Sequence, residues 1–378
     1  MKKLRICFFI IFLSFSMISC HNINSKDKNE IIKTNSSIDG PYIFHQKGEI
    51  INYYYRDKKL IKKTVKVGDS IDVIVPFRTP SKFKFKLINK YAPVSTSTTT
   101  KNNIFVTCDI EGNYFALVKL LIGNKVIDNN LNWIYGKNHL VFIGDMVDRG
   151  IRVTQELWLI YKLDKQAQEA GGQVHYILGN HDIMCMNGDN RYTDEKYKEV
   201  AKKLNISCKD LLSENSELGR WMQTKNCIER INNFTFVHAG ISLKVCDLKL
   251  SYSEMNSKMR PFYRIQHTRK SSDKNISTLF GSYGILWYRG FVTSHKDKYS
   301  KISANEFDKV CKFYHTDKIF IGHSIVDTIS SDFNNKLIRV DVHQPSYYSQ
   351  SNNFFQAVLI KGNQIYRVDE LGNKTIIQ

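Results

Sequence analysis

The 378-residue chain has no arginine-rich arm, no zinc-finger spacing of cysteine and histidine, and no aromatic RNA-binding signature. Its formal charge of +19 would otherwise suit a nucleic acid. Without those elements the excess, mostly lysine dispersed among Asn, Ile and Ser, reads as a solvated surface, and no nucleic-acid partner is expected. An anionic substrate or an anionic lipid would suit the same field. Cysteine is unpatterned as well. Beyond Cys7 and Cys20 stand Cys108, Cys185, Cys208, Cys227, Cys246 and Cys311, whose spacings make no disulfide framework, so buried free thiols are at least as well supported. Long apolar stretches are also missing. The run Ile6–Ile18 falls short of the ~20 residues that cross a bilayer, which argues against a mature transmembrane helix.

That run follows Lys2, Lys3 and Arg5 and closes at Ser19-Cys20, the layout of a cleaved secretory signal over residues 1–19. Cleavage would remove three of the nineteen excess charges and leave +16. Ser19-Cys20 resembles a bacterial lipoprotein cleavage site, although Met17 stands where leucine is usual. The resemblance implies lipid on Cys20 and an exported protein held on a bacterial membrane, facing the periplasm or the outside. A plain cleaved signal is the alternative. Residues 20–40 are polar and aperiodic and read as a flexible tether. Residues 41–94 hold β-rich runs such as Ile50–Tyr55 and Ile71–Val75, separated by Gly48, Asp57-Lys58 and Gly68-Asp69, and read as a small β-rich module. The Ser/Thr run at 95–101 reads as a linker before one domain over 102–378.

From Asn102 onward, apolar runs stop abruptly at Asp, Asn or His. Ile104–Val106 leads to Asp109, Leu140–Ile143 to Gly144-Asp145, and Val174–Leu178 to Gly179-Asn180-His181. Phe234–Val237 ends at His238, and Ile319–Ile321 at Gly322-His323. Helical periods follow the first two, through Tyr114, Leu117, Val118 and Leu121 and through Val153, Leu157, Ile160 and Tyr161. In α/β sheets, chemistry collects just beyond the carboxyl ends of strands. Carboxylates, an amide and imidazoles at five such ends suit hard divalent cations and need no thiolate.

The ordered signals are Asp109-Ile-Glu111-Gly112-Asn113, Gly144-Asp145-Met-Val-Asp148-Arg149-Gly150, Gly179-Asn180-His181-Asp182, and the two histidines His238 and His323. As a set they resemble the calcineurin-like metallophosphoesterases, and the Asp-Arg-Gly ending is similar to the phosphoprotein phosphatase branch. Gly188-Asp189-Asn190-Arg191-Tyr192, Leu218-Gly219-Arg220-Trp221, Val237-His238-Ala239-Gly240 and Leu286-Trp287-Tyr288-Arg289-Gly290 look like the Shewanella-like protein phosphatases. This resemblance spans about residues 102–345 and implies an α/β fold: an αββα sandwich of two mixed sheets, here preceded by the β-rich module. It implies two divalent ions, of Mn, Fe, Zn or Mg, and hydrolysis of phosphomonoesters by a hydroxide bridging them. Asp145 would be the bridge, Asp109 and Glu111 would complete one ion, and Asn180, His238 and His323 the other. His181 would act as general acid, oriented by Asp148, while Arg149 and Arg289 grip the phosphate. Arg191 and Arg220 are further candidates for the phosphate or for structure. Cys108 and Cys185 flank these motifs, and His139, His175, His267, His295 and His315 match none; all read as packing residues.

Two positions leave the family pattern. Glu111 stands where histidine is usual, either as a ligand that favours hard cations or as an acceptor standing behind one. Asp341-Val342-His343 replaces the late Asp-Thr-Gly, which leaves the role of Asp341 open and makes His343 a candidate replacement ligand. Phosphoproteins are the implied substrates. An exported hydrolase of nucleotides or dinucleoside polyphosphates is the alternative, and a surface binding protein that kept the fold without turnover is a third reading.

Overall fold

The computed structural model describes residues 38–76, 82–88, 91–343 and 355–377. The leader, Cys20 and most of the expected tether lie outside the described residues. The first described strands are β1 (Ile38–Gln46), β2 (Glu49–Arg56) and β3 (Lys59–Val65), an antiparallel sheet. The two-residue turn between β2 and β3 puts Asp57 and Lys58 at φ 50° and 62°, the primed turn that matches strand twist. A hairpin of β4 (Ser70–Ile74) and β5 (Lys82–Lys86) follows.

Two sequence boundaries shift. Strand β1 starts at Ile38, inside the expected tether, and Asp39 is buried. The expected linker contains β6 (Ser97–Thr98), which pairs in parallel with Arg230 and Ile231. Polar residues serve there because β6 is an edge strand, bonded on one side only. The β-rich module is present, but its apolar residues are continuous with the main core. Ile43, Val65, Val73, Phe83 and Phe85 belong to the same buried cluster as Leu157 and Trp158, with Phe85 stacked on Trp158 at 4.2 Å.

The main body is the expected αββα sandwich. One sheet runs β17–β16–β15–β7–β8–β9, built from β7 (Ile104–Thr107), β8 (His139–Ile143), β9 (Gln173–Ile177), β15 (Gln356–Lys361), β16 (Gln364–Asp369) and β17 (Lys374–Ile376). The other runs β13–β14–β12–β11–β10–β6, with β10 (Ile228–Ile231), β11 (Phe234–Val237), β12 (Lys318–Ile321), β13 (Ser330–Asp332) and β14 (Leu337–Arg339). Both are mixed. β7, β8 and β9 are parallel, while β15 lies antiparallel to β7; β11, β12 and β14 are parallel, while β10 runs against β11 and β13 against β14.

Parallel neighbours need crossovers, supplied by α1 (Tyr114–Gly123) after β7 and α2 (Val153–Glu169) after β8. Helix α3 (Asn180–Asn187) leaves β9, and α4 (Glu195–Leu204) and α5 (Glu217–Met222) follow. Strand alternation builds the layers. Ile104, Val106, Val141 and Ile143 meet Phe236, Phe320 and Ile338 between the sheets, whereas Phe105, Leu140, Phe142 and Tyr176 face the helices. Buried on both faces, these strands read as the unbroken apolar runs of the sequence. Their carboxyl ends open on one edge.

Candidate metal centre

Each loop at that edge is braced by its neighbour. Asp109 N–H donates to the Gly144 carbonyl at 3.0 Å, Glu111 N–H to Asp145 O at 3.0 Å, and Gly322 N–H to His238 O at 2.8 Å. The chain turns sharply to present its side chains. Asp109, Glu111, Asp145, Asp148, Arg149 and His323 all have left-handed φ, between 48° and 70°. For residues with a Cβ this costs of order 1–3 kcal/mol each and collects at functional sites. Two glycines permit the close approach. A Cβ on Gly179 would stand 2.1 Å from Asp145 Oδ1, and one on Gly322 would stand 2.3 Å from Asp109 Oδ2.

Asp145, His238 and His323 are buried, and their ligand atoms lie within 4.8 Å of one another. So do those of Glu111, Asp145 and His181, which makes Asp145 the residue common to both groups. Asp109 is in neither group; its carboxylate accepts from His323 N–H at 3.1 and 3.3 Å. Asn180 joins from the start of α3. With its NH2 turned toward the two rings, its amide donates to His238 Nε2 at 2.9 Å, to His323 Nδ1 at 2.7 Å and to the Leu286 carbonyl at 3.2 Å. His238 Nδ1 donates to Ile143 O at 2.8 Å, so the ring turns Nε2 toward Asn180 and toward Asp145 Oδ2 at 3.2 Å.

A carboxylate, an amide and imidazole nitrogens therefore converge here. Burial resists charge on His238, yet the Asp145 and Asp109 carboxylates outweigh it and push its pKa up to about 10. A divalent cation would take that proton's place. Burial, then His238 and Arg289, hold His323 well below the ordinary histidine value, the neutral form a ligand needs. Burial and Asp341 lift Asp109 well above the carboxylate range, and burial lifts Glu111 against the pull of Arg149. Asp341 is raised to about 7 by burial, with Glu111 and Asp145 adding to it. Three carboxylates that resist ionising around Asp145 are the charge surplus that cations relieve, and the hard donor set fits divalent ions.

The remaining expected residues are placed as follows. His181 Nδ1 donates to Asp148 at 2.8 Å, leaving Nε2 toward the cleft, where it lies 3.4 Å from an Arg149 nitrogen. Arg149 pairs with Glu111. Arg289 donates to the His323 carbonyl and lines the same cleft of about 410 Å³. His343 is exposed at its rim and belongs to neither ligand group, while Asp341 is buried in its wall. Arg220 is exposed on α5 and lines no part of this cleft; Arg191 pairs with Asp189 at 2.7 and 2.8 Å. All six described cysteines are free, and Cys185 donates its thiol hydrogen to Asp148 at 3.0 Å.

The sequence profile of calcineurin-like phosphoesterases matches residues 103–327. The chain belongs to the calcineurin-like phosphoesterase family. Phosphoric ester hydrolases make up that family, so the class expected from the motifs is met. Shewanella-like protein phosphatase 1 of Plasmodium berghei (strain Anka) is 26% identical over 244 residues, 64% of this chain and 66% of its own length. Shewanella-like protein phosphatase 2 of Arabidopsis thaliana is 38% identical over 71 residues, 19% of this chain and 18% of its own. The chain thus spans just under two thirds of the first of these relatives. Among solved structures, a cold-active protein-tyrosine phosphatase of a psychrophilic Shewanella species is similar, with a TM-score of 0.80 and 28% identity over 90% of this chain and 99% of that one.

The roles expected from the motifs leave out one residue of this cluster. Asp182, which the sequence places directly after His181, is fully buried and accepts from Asp145 N–H at 2.9 Å, Gly179 N–H at 2.8 Å and the Tyr176 hydroxyl at 2.7 Å. It ties the β8 and β9 loops together beneath the candidate ligand cluster. His139 and His175, read as structural, form a buried chain with Glu229, at 3.0 and 2.6 Å.

Proposed function

We propose that the protein is a metal-dependent phosphomonoesterase acting on phosphorylated proteins, with phosphotyrosine among its targets. The observation that carries the reading is the convergence of Asp145, Asn180, His238 and His323 beside the His181–Asp148 pair, with two arginines on the rim. The protein-phosphatase part rests on the Shewanella-like relatives and on the similar tyrosine phosphatase.

Asp145, Asn180, His238 and His323 would hold one divalent cation, and Asp145, Glu111 and Asp109 a second. When bound, the two ions supply an activated water and positive charge for the phosphoryl group in transfer. Arg149 and Arg289 hold its outer oxygens and orient it; Arg149 does so after leaving Glu111. Burial opposes charge on His181, but Asp148 and Asp145 outweigh it and raise its pKa above the ordinary histidine value, which favours the protonated form. From Nε2 it passes that proton to the departing oxygen, and Asp148 keeps the imidazolium in place.

Steady-state turnover of the purified protein with added Mn decides the reading, using an aryl phosphate, a phosphotyrosine peptide, a phosphoserine peptide and a dinucleoside polyphosphate. Phosphopeptide hydrolysis is expected. Faster turnover of the dinucleotide would favour the nucleotide hydrolase instead, and no turnover of any substrate would favour a binding protein. Residues 1–20 support export and lipid attachment at Cys20. Fatty-acid labelling with fractionation tests this: label lost in Cys20→Ser supports the anchor, and an unlabelled native protein removes it.

A further inference from the structure

A second cavity, also about 410 Å³, lies beside the metal centre. Asn180 is part of its wall, and so is Trp287, whose ring stands edge-on to His323 at 5.9 Å. A shelf leads to it from the proton donor. The Tyr192 ring packs 5.0 Å from the His181 ring and is 45% exposed, with Arg149 and Arg191 at 5.6 and 5.7 Å from its centre. Since His181 serves the departing oxygen, this shelf is where the rest of the substrate would lie.

The cavity is cationic. Arg191, Arg269 and Lys270 line it against one carboxylate, Asp189, and Arg191 already engages that carboxylate with two hydrogen bonds. Among the described residues Arg269 and Lys270 form no ion pair, in contrast to Arg149 and Arg191. The Arg269 guanidinium is seated 4.1 Å from the centre of the Trp287 ring, which steadies its planar fork without satisfying its donors. A steadied, unpaired guanidinium is suited to an oxyanion, and bidentate contact with carboxylate or phosphate is its strongest use.

We propose that this cavity is a subsite for an anionic side chain, carboxylate or phosphate, flanking the phosphorylated residue of the substrate. Arg269 and Lys270 select it. The inference rests on the reading of the protein as a phosphopeptide phosphatase and names the kind of peptide it prefers.

The test is kcat/KM on three phosphotyrosine peptides, flanked on both sides by alanine, glutamate or phosphoserine, with a small aryl phosphate as control. The native protein should prefer an anionic flank by about 5–10-fold, and the preference should shrink at about 0.5 M salt, as expected of an exposed charge contact. Arg269→Ala and Lys270→Ala should each lower that preference, and Arg269→Glu should reverse it, with aryl-phosphate turnover and circular dichroism unchanged. A preference for only one of the two anions supports the subsite and names its ligand. Aryl-phosphate turnover without any flank preference, or variants that keep the full preference, overturns the subsite and leaves the phosphatase reading standing. A native protein inert on the aryl phosphate removes both.

Discussion

His181 Nδ1 lies 2.8 Å from one oxygen of Asp148, whose other oxygen accepts from Thr193 Oγ1 at 2.8 Å and from the Cys185 thiol at 3.0 Å. Asp148 is buried and fully occupied, so it cannot swing to the far side of the ring. The imidazole is thereby locked with Nε2 toward the cleft, where it can hand a proton to a departing oxygen.

His181→Asn should therefore lower kcat by about 10²–10⁴ on alkyl phosphates while the bound metal stays in place. The loss should be smaller on aryl phosphates, whose leaving groups need little protonation. Parallel kinetics and metal analysis check this, and an equal loss on both substrate types would remove His181 from the acid role.

Glu111 is held by Arg149 and also stands within reach of Asp145 and His181. As a ligand it should be replaceable by imidazole: Glu111→His keeps two ions and shifts preference toward Zn. Glu111→Ala should bind one ion fewer and lose more than about 100-fold in rate, beyond the 10–100-fold range of a group that only orients a ligand. Metal stoichiometry with aryl-phosphate turnover separates the cases. A fully active, two-metal Glu111→Ala protein would place the ligand elsewhere.

The N-terminal strand is bound into the catalytic domain by a buried ion pair. Lys196 Nζ lies 3.0 Å from Asp39, which also accepts from Gln155 at 2.8 Å and from the Tyr42 hydroxyl at 2.5 Å. Lys196 donates as well to the Ile151 carbonyl, at the end of the loop that carries Arg149. Asp39→Ala should cost about 3–5 kcal/mol, since it leaves a buried ammonium uncompensated. Adding Lys196→Met should recover much of that loss. Urea denaturation of the three proteins measures it, and an unchanged midpoint for Asp39→Ala would contradict the arrangement.

The ease of reading the sequence varied with how local each signal was. The strand-end positions of Asp109, Asp145, Asn180, His238 and His323 are legible because each follows an apolar run, and a strand end in an α/β sheet is a predictable place. The sandwich was legible for the same reason, with helical periods marking the crossovers. What escaped depends on partners far away in the chain. Strand β6 is polar and gains its identity only from Arg230 and Ile231. Asp39 lies in a polar, aperiodic stretch and takes its place only from Lys196 on α4. The shelf of Tyr192 and the pocket walled by Trp287 and Arg269 draw on segments with no shared periodicity, so no local pattern announces them.

The central claim is that Asp145 joins two cation sites, and metal content beside turnover tests it most directly. Asp145→Asn keeps the shape but removes the charge shared by both ligand groups. Mass spectrometry and phosphate-release kinetics on the native and variant proteins should show two divalent ions in the first, and at most one, with turnover abolished, in the second. A variant that binds two ions and turns over at the native rate would contradict the account.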